Sequence, residues 1–237
     1  MPSTTSADAA ARLLTDADCV LFDFDGPLCR LFAGPPGAAG IAAELRRPLT
    51  GQLLDSVATI DDPHEVYRRT SRALRRPGQP EDHRVTGMRK RLDELEIAAA
   101  GTAEPAPGAA ELLRLLSGLR KPLAVVSNNC EAAVRAYLDR ADLAHYFTGP
   151  VIGRDDDSAL MKPDPAPVRR ALEGLGAAPG RCLLIGDSLA DAEAAAAAGM
   201  PFLGCHHDSG KRRLLGAVRG VRHVVAELAV LVALLRA

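Results

Sequence analysis

The chain has 237 residues, 47% of them hydrophobic and 25% charged, with a formal net charge of -1. That length holds one large domain or a core with a smaller insert. So small a charge excludes an electrostatic case for nucleic acid or an acidic membrane surface as a partner. Aromatic residues make up 3% and Trp is absent, which removes a stacking platform for single strands.

The opening MPSTTSADAAARLL has no basic n-region and no long apolar segment, so no signal peptide is expected. Residues 9–14 predict a short helix leading into Cys19-Val20-Leu21-Phe22. This apolar run, bounded by Gly26-Pro27, reads as a buried parallel strand. Asp23 and Asp25 then emerge at its C-terminal end, the edge where open α/β sheets bind ligands. Two carboxylates that close repel one another unless a cation, donors or a shared proton compensates.

Residues 31–40 form a Gly/Pro-rich connector. From 41 to about 100 the pattern is helical. Pro63 opens one helix at its first turn, Pro77-Gly78-Gln79-Pro80 breaks it, and Val85, Met88, Leu92 and Leu95 recur at helical spacing after it. Arg68, Arg72, Arg75 and Arg76 share much of one helix face. They read either as a solvated basic face or as selection of an anionic substrate. Residues 101–108, with Pro105 and Pro107, form a second connector, so the helical segment between looks inserted.

From Ala109 onward the chain alternates. Helices are predicted at 111–119, 131–138, 165–175, 191–198 and about 227–236. Strands are predicted at 123–126, 146–152 (kinked at Gly149-Pro150), 182–185, 202–205 and 223–225. This alternation predicts an α/β fold, a parallel sheet covered on both faces. Polar clusters follow three of the strands and should meet along one edge. The apolar stretch 221–235 is broken by Arg222, His223 and Glu227 and is not expected to span a bilayer. The five cysteines, Cys19, Cys29, Cys130, Cys182 and Cys205, are odd in number and well separated. They predict reduced thiols in a cytoplasmic protein rather than a disulfide framework or zinc site.

The second polar cluster is Ser127-Asn128, where a hydroxyl and backbone N–H groups beyond a strand make either a phosphate cradle or a plain helix N-cap. The third is Met161-Lys162-Pro163-Asp164-Pro165. Lysine is scarce in this chain, occurring elsewhere only as Lys90, Lys121 and Lys211. A compact ammonium between prolines suits neutralising a phosphoryl group or carboxylates. The fourth is Gly186-Asp187-Ser188-Leu189-Ala190-Asp191. Carboxylates at a helix start also favour its dipole, but with Asp23 near, Asp187 completes a two-carboxylate oxygen site suited to Mg²⁺.

In this order and in these strand and loop settings, the four clusters resemble those of the haloacid dehalogenase superfamily. The likeness spans most of the chain, from Cys19 to Gly199. It implies a Rossmann-like core over residues 1–32 and 103–237 and an inserted helical C1 cap over 33–102. It also implies an Mg²⁺-dependent phosphatase acting on a small phosphate ester. Asp23 would be the nucleophile that forms an aspartyl-phosphate, and Asp25 the general acid and then base. Ser127 and Lys162, with Asn128, would hold the transferring oxygens. Asp23, Asp187 and the backbone carbonyl of Asp25 would hold the metal, and Asp191 would orient Lys162. The sequence departs from the pattern at Pro27, where most family members carry Thr or Val. Proline offers neither N–H nor hydroxyl there, which puts the support of Asp25 in question. A phosphomutase of the β-phosphoglucomutase type is the alternative, as is a catalytically silent binding protein on the same fold. A dehalogenase fits less well, since it would need no acid at Asp25. No nucleic acid or membrane partner is expected, and the protein is expected to be a monomer or homodimer.

Overall fold

The computed structural model describes residues 4–236. Positions 1–3, the first of the segment read as no signal peptide, lie outside them. Helix α1 (Thr4–Asp16) leads into β1 (Cys19–Phe22), and every residue of that strand is buried. A two-residue strand, β2 (Cys29–Arg30), follows the turn. Four helices come next: α2 (Gly37–Arg46), α3 (Gly51–Asp55), α4 (Pro63–Leu74) and α5 (His83–Ala100). Pro63 does open α4, behind Asp62, whose carboxylate accepts from the N–H groups of His64 and Glu65. The chain returns through β3 (Glu104–Pro105), which pairs antiparallel with β2.

The alternating part then runs α6 (Ala109–Gly118), β4 (Leu123–Val126), α7 (Glu131–Arg140), β5 (Val151–Ile152) and α8 (Ala166–Leu175). It continues with β6 (Cys182–Gly186), α9 (Leu189–Ala197), β7 (Phe202–Cys205), α10 (Ser209–Ala217), β8 (His223–Val225) and α11 (Leu228–Leu235). The main sheet has the order β5-β4-β1-β6-β7-β8, and all its pairings are parallel. The α/β expectation is therefore met.

Alternation along the central strands feeds two cores. Val20, Phe22, Val125, Leu183 and Ile185 pack with α1, α6, α7 and α11 on one face. Cys19, Leu21, Ala124, Val126 and Leu184 pack with α8 and α9 on the other. Each fully buried side chain of this size contributes about 1.5–3 kcal/mol. A third cluster joins Ile41 and Leu45 of α2, Val66 and Tyr67 of α4, and Val85, Met88 and Leu92 of α5. Met161, next to Lys162, enters it from the sheet side.

Four differences from expectation stand out. Only Val151–Ile152 of the stretch 146–152 is a strand, and Ala144–Tyr146 is a 3₁₀ turn. Helix α10 and the β2–β3 ribbon were not foreseen. Cys19 and Cys182 are not free thiols. The parallel register sets them directly opposite one another, with Cα atoms 4.9 Å apart, and they form a buried disulfide. Cys29, Cys130 and Cys205 are free and buried.

Candidate active site

Parallel strands end on the same edge, so the residues after β1, β4 and β6 converge. The Asp23 N–H still belongs to the sheet and donates to Ile185 O at 2.8 Å. Beyond it the chain turns tightly, with Leu28 and Cys29 N–H on Phe24 O and Gly26 N–H on Cys29 O. Gly26 has φ of 114°, and a Cβ there would lie 2.4 Å from Asp187 Oδ2, so only glycine lets the two loops approach. The Asp25 carboxylate accepts the Leu31 N–H at 2.8 Å. The chain just downstream thus supplies the support that Pro27 cannot.

Lys162 is 3% exposed, and its ammonium has three acceptors: Asp23 Oδ1 at 2.8 Å, Val126 O at 2.7 Å and Asp191 Oδ1 at 2.5 Å. Burial opposes its charge, but Asp191 and Asp23 outweigh this and hold it protonated. The other oxygen of Asp191 accepts from the N–H and hydroxyl of Ser188, closing a capping box at the start of α9. Asn128 clamps the Lys162 main chain: its Oδ1 accepts the Lys162 N–H at 2.8 Å and its Nδ2 donates to Lys162 O at 3.0 Å. The Asn128 side chain is thereby occupied with holding Lys162. The Ser127 hydroxyl is buried, donates to Asn129 Oδ1 at 3.0 Å and accepts the Asn129 N–H at 3.1 Å.

The electrostatics are those of crowded acids. Burial, then repulsion from Asp191, pushes Asp23 up to about 6 despite Lys162. Burial also pushes Asp25 up to about 6, against the pull of the Leu31 N–H. Asp187 is driven well above the usual carboxylate range by burial and by Asp23. The carboxylate oxygens of Asp23, Asp187 and Asp191 lie within 4.8 Å of one another. Both oxygens of Asp191 are engaged, so Asp23 and Asp187 are the pair with capacity to spare. Hard oxygen donors carrying more negative charge than Lys162 offsets fit a divalent cation. His206 stands behind, with Nε2 3.9 Å from Asp187 Oδ2. Burial holds its pKa down to about 4, so it is a neutral neighbour.

A cavity of about 450 Å³ lies over these groups, lined also by Asp61 and Asp62 before α4, His64 in its first turn, and Lys211. The arginines in and just after α4 do not line it. Arg68, Arg72 and Arg75 line a separate cavity with Pro163, Asp164 and Pro165. Arg76 turns back onto the carbonyls of Ala73 and Arg75. The sequence offered no sign of a further group beside Ser127. Asn129, Glu96, His64 and Arg154 are drawn together from separate segments, and no spacing rule links them. Among them Glu96 is fully buried, yet its pKa falls to about 2, because Arg154 and His64 outweigh the burial that opposes ionisation.

The family model for haloacid dehalogenase-like hydrolases matches residues 17–199. Phosphoglycolate phosphatase of Escherichia coli strain K12 is 32% identical over 203 residues, which cover 78% of this chain and 79% of that protein. Phosphoglycolate phosphatase of Neisseria meningitidis serogroup A is also 32% identical over 203 residues, covering 83% of each. A solved haloacid dehalogenase-like hydrolase from Streptococcus pneumoniae superposes with a TM-score of 0.64 at 16% identity, covering 92% of this chain and 98% of that one. At that identity the likeness is one of fold.

Proposed function

Because the chain belongs to the haloacid dehalogenase-like hydrolases and is a phosphoric monoester hydrolase, we propose that it works as an Mg²⁺-dependent phosphatase with Asp23 as nucleophile. The observation that carries this reading is the Lys162 ammonium, bonded at once to Asp23 and Asp191 on the edge that also bears Ser127 and Asp187. A carboxylate facing a phosphate dianion is repelled unless cations surround the encounter. Lys162 supplies one such charge. Asp23, Asp187 and the backbone carbonyl of Asp25 would hold Mg²⁺, which when bound offsets further negative charge on the phosphoryl oxygens.

In this reading Asp23 attacks phosphorus in line with the leaving oxygen and becomes an aspartyl-phosphate, dividing the reaction into two smaller barriers. Ser127 turns its one hydrogen from Asn129 Oδ1 to a transferring oxygen, Lys162 offsets the charge on those oxygens from where its three bonds fix it, and Asn128 fixes the Lys162 loop. Asp25, whose carboxyl keeps its proton up to about 6, gives that proton to the leaving oxygen. Once ionised, it takes a proton from the water that releases phosphate. The cavity suits a small ester, and the printed name of the relatives makes 2-phosphoglycolate the first to try. The test is turnover of 2-phosphoglycolate and p-nitrophenyl phosphate with Mg²⁺ by wild type and by Asp23→Asn. The variant should fold and be inactive; retained turnover removes Asp23 as nucleophile. Steady hydrolysis without an added bisphosphate counts against a phosphomutase. Absence of any turnover by folded, Mg²⁺-binding protein would favour a silent binding role.

A further inference from the structure

A buried ionic cluster joins helix α5 to the phosphoryl edge of the sheet, and the chemistry above makes no use of it. Its centre is Glu96. One carboxylate oxygen accepts from His64 Nε2 at 2.8 Å, Arg154 Nη1 at 2.8 Å and Asn129 Nδ2 at 3.2 Å. The other accepts from the Cys130 N–H at 2.7 Å and Arg154 Nη2 at 2.9 Å. Arg154 also donates to Asn128 O at 2.8 Å and to the Asp93 carboxylate. The donor atoms of Asp93, Glu96 and Cys130 cluster within 4.8 Å of one another, but they do not make a second metal site. The Arg154 guanidinium already sits among them and meets their charge. The Cys130 thiol is also pushed up to about 12 by burial, so it offers no thiolate.

What the cluster does touch is the turn that presents Ser127. An asparagine amide has one accepting end and one donating end. With the Asn129 Nδ2 committed to Glu96, only its oxygen can face the Ser127 hydroxyl, as the 3.0 Å contact shows. The Glu96 carboxylate also lies at the N-terminal end of α7, where it receives a main-chain N–H and favours the helix dipole. We infer that Glu96, borne by the helical segment rather than the sheet, is a positioning residue that fixes the turn after β4 through Asn129 Nδ2 and the Cys130 N–H, and so fixes the place of the Ser127 oxygen, whose one hydrogen turns from Asn129 Oδ1 to the phosphoryl group when that group binds. This rests on the reading of Ser127 as a phosphoryl-holding group. It makes the seating of α5 and the readiness of Ser127 a single event, because withdrawing α5 removes the acceptor from Asn129 and Cys130 together.

The experiment measures binding of inorganic phosphate in the presence of Mg²⁺ by calorimetry, for wild type, Glu96→Gln, Asn129→Ala and the double variant. Each single change should weaken phosphate by about 10-fold, the scale of one hydrogen bond. The double should be little worse than either, because both act through the same hydroxyl. In turnover, kcat/KM for p-nitrophenyl phosphate and for 2-phosphoglycolate should fall by the same factor, since the leaving group is not involved. Folded Glu96→Gln with unchanged phosphate affinity overturns the inference, as does a double variant weakened by the product of the two single effects. Should Glu96→Gln fail to fold, Asn129→Ala removes no charge and decides alone: unchanged affinity refutes, weakened affinity supports. Wild type that binds phosphate but hydrolyses no ester would sink the phosphatase reading and leave this one standing. Wild type that binds no phosphate would sink both.

Discussion

Replacing Lys162 with methionine keeps the length of the side chain and removes the ammonium. In the native protein that ammonium uses all three hydrogens, on Asp23, Asp191 and Val126 O. The side chain is 2% exposed, and those of its two partners are 11% and 0% exposed, so little water can replace what is lost. Taking one member from a buried ion pair costs about 3–5 kcal/mol, because the other is left buried and uncompensated. An exposed pair would be worth only about 0–1 kcal/mol. Against a typical native stability of about 5–15 kcal/mol, the variant should be severely weakened. Urea unfolding in EDTA near neutral pH measures this directly. Adding Mg²⁺ should restore more stability to the variant than to wild type, since the ion meets charge that the ammonium no longer meets. Turnover should fall by about 10³-fold or more, the scale on which phosphoryl-stabilising cations act. A loss in EDTA below about 1 kcal/mol would refute the view that Lys162 compensates these acids.

Asp187→Asn should do the reverse in EDTA, raising stability by about 1–2 kcal/mol by relieving repulsion within the acidic cluster. The same change should abolish Mg²⁺-dependent activity, and a fall in Tm without metal would contradict it. Gly153→Ala would place a Cβ 2.3 Å from the Glu131 main-chain nitrogen. It should cost about 3 kcal/mol, read as a lower urea midpoint. Glu96 predicts a pH dependence, its carboxyl lying at about 2 against an ordinary 4.5. A depressed carboxyl contributes stability that is complete above 4.5 and lost as pH falls toward 2, here about 3 kcal/mol. Wild type should therefore lose its advantage over Glu96→Gln across that interval, and parallel curves for the two would count against the ionic cluster.

The parts of the molecule legible in the sequence are those that repeat a local rule. The apolar runs at β1, β4, β6 and β7 are short, uninterrupted and followed by polar turns, and their parallel pairing carries Asp23, Ser127 and Asp187 to one edge. Lys162 stood out through composition and its prolines. What escaped depends on distance. Cys19 and Cys182 meet only because two strands share a register across 163 residues. Glu96 looks like one more polar position in a helix, and only packing against Arg154, His64 and the turn after β4 gives it a role. The β2–β3 ribbon is two residues on each side, too short to show any period. Helix α10 follows two histidines and opens with Ser209-Gly210, a start whose stop-like residues mask the capping Asp208.

That small ribbon has a consequence for how the chain can vary. Pairing Cys29 with Pro105 and Arg30 with Glu104 brings the outgoing and returning strands to the same place, roughly 5 Å apart, as in any ladder. The entropy of closing a loop grows only with the logarithm of its length, so doubling the excursion would add about 0.6 kcal/mol. The sheet is therefore nearly indifferent to how much polypeptide is strung between β2 and β3. Insertions or deletions there are constrained by what the helices must touch, not by the closure itself, provided both legs change outside the paired residues.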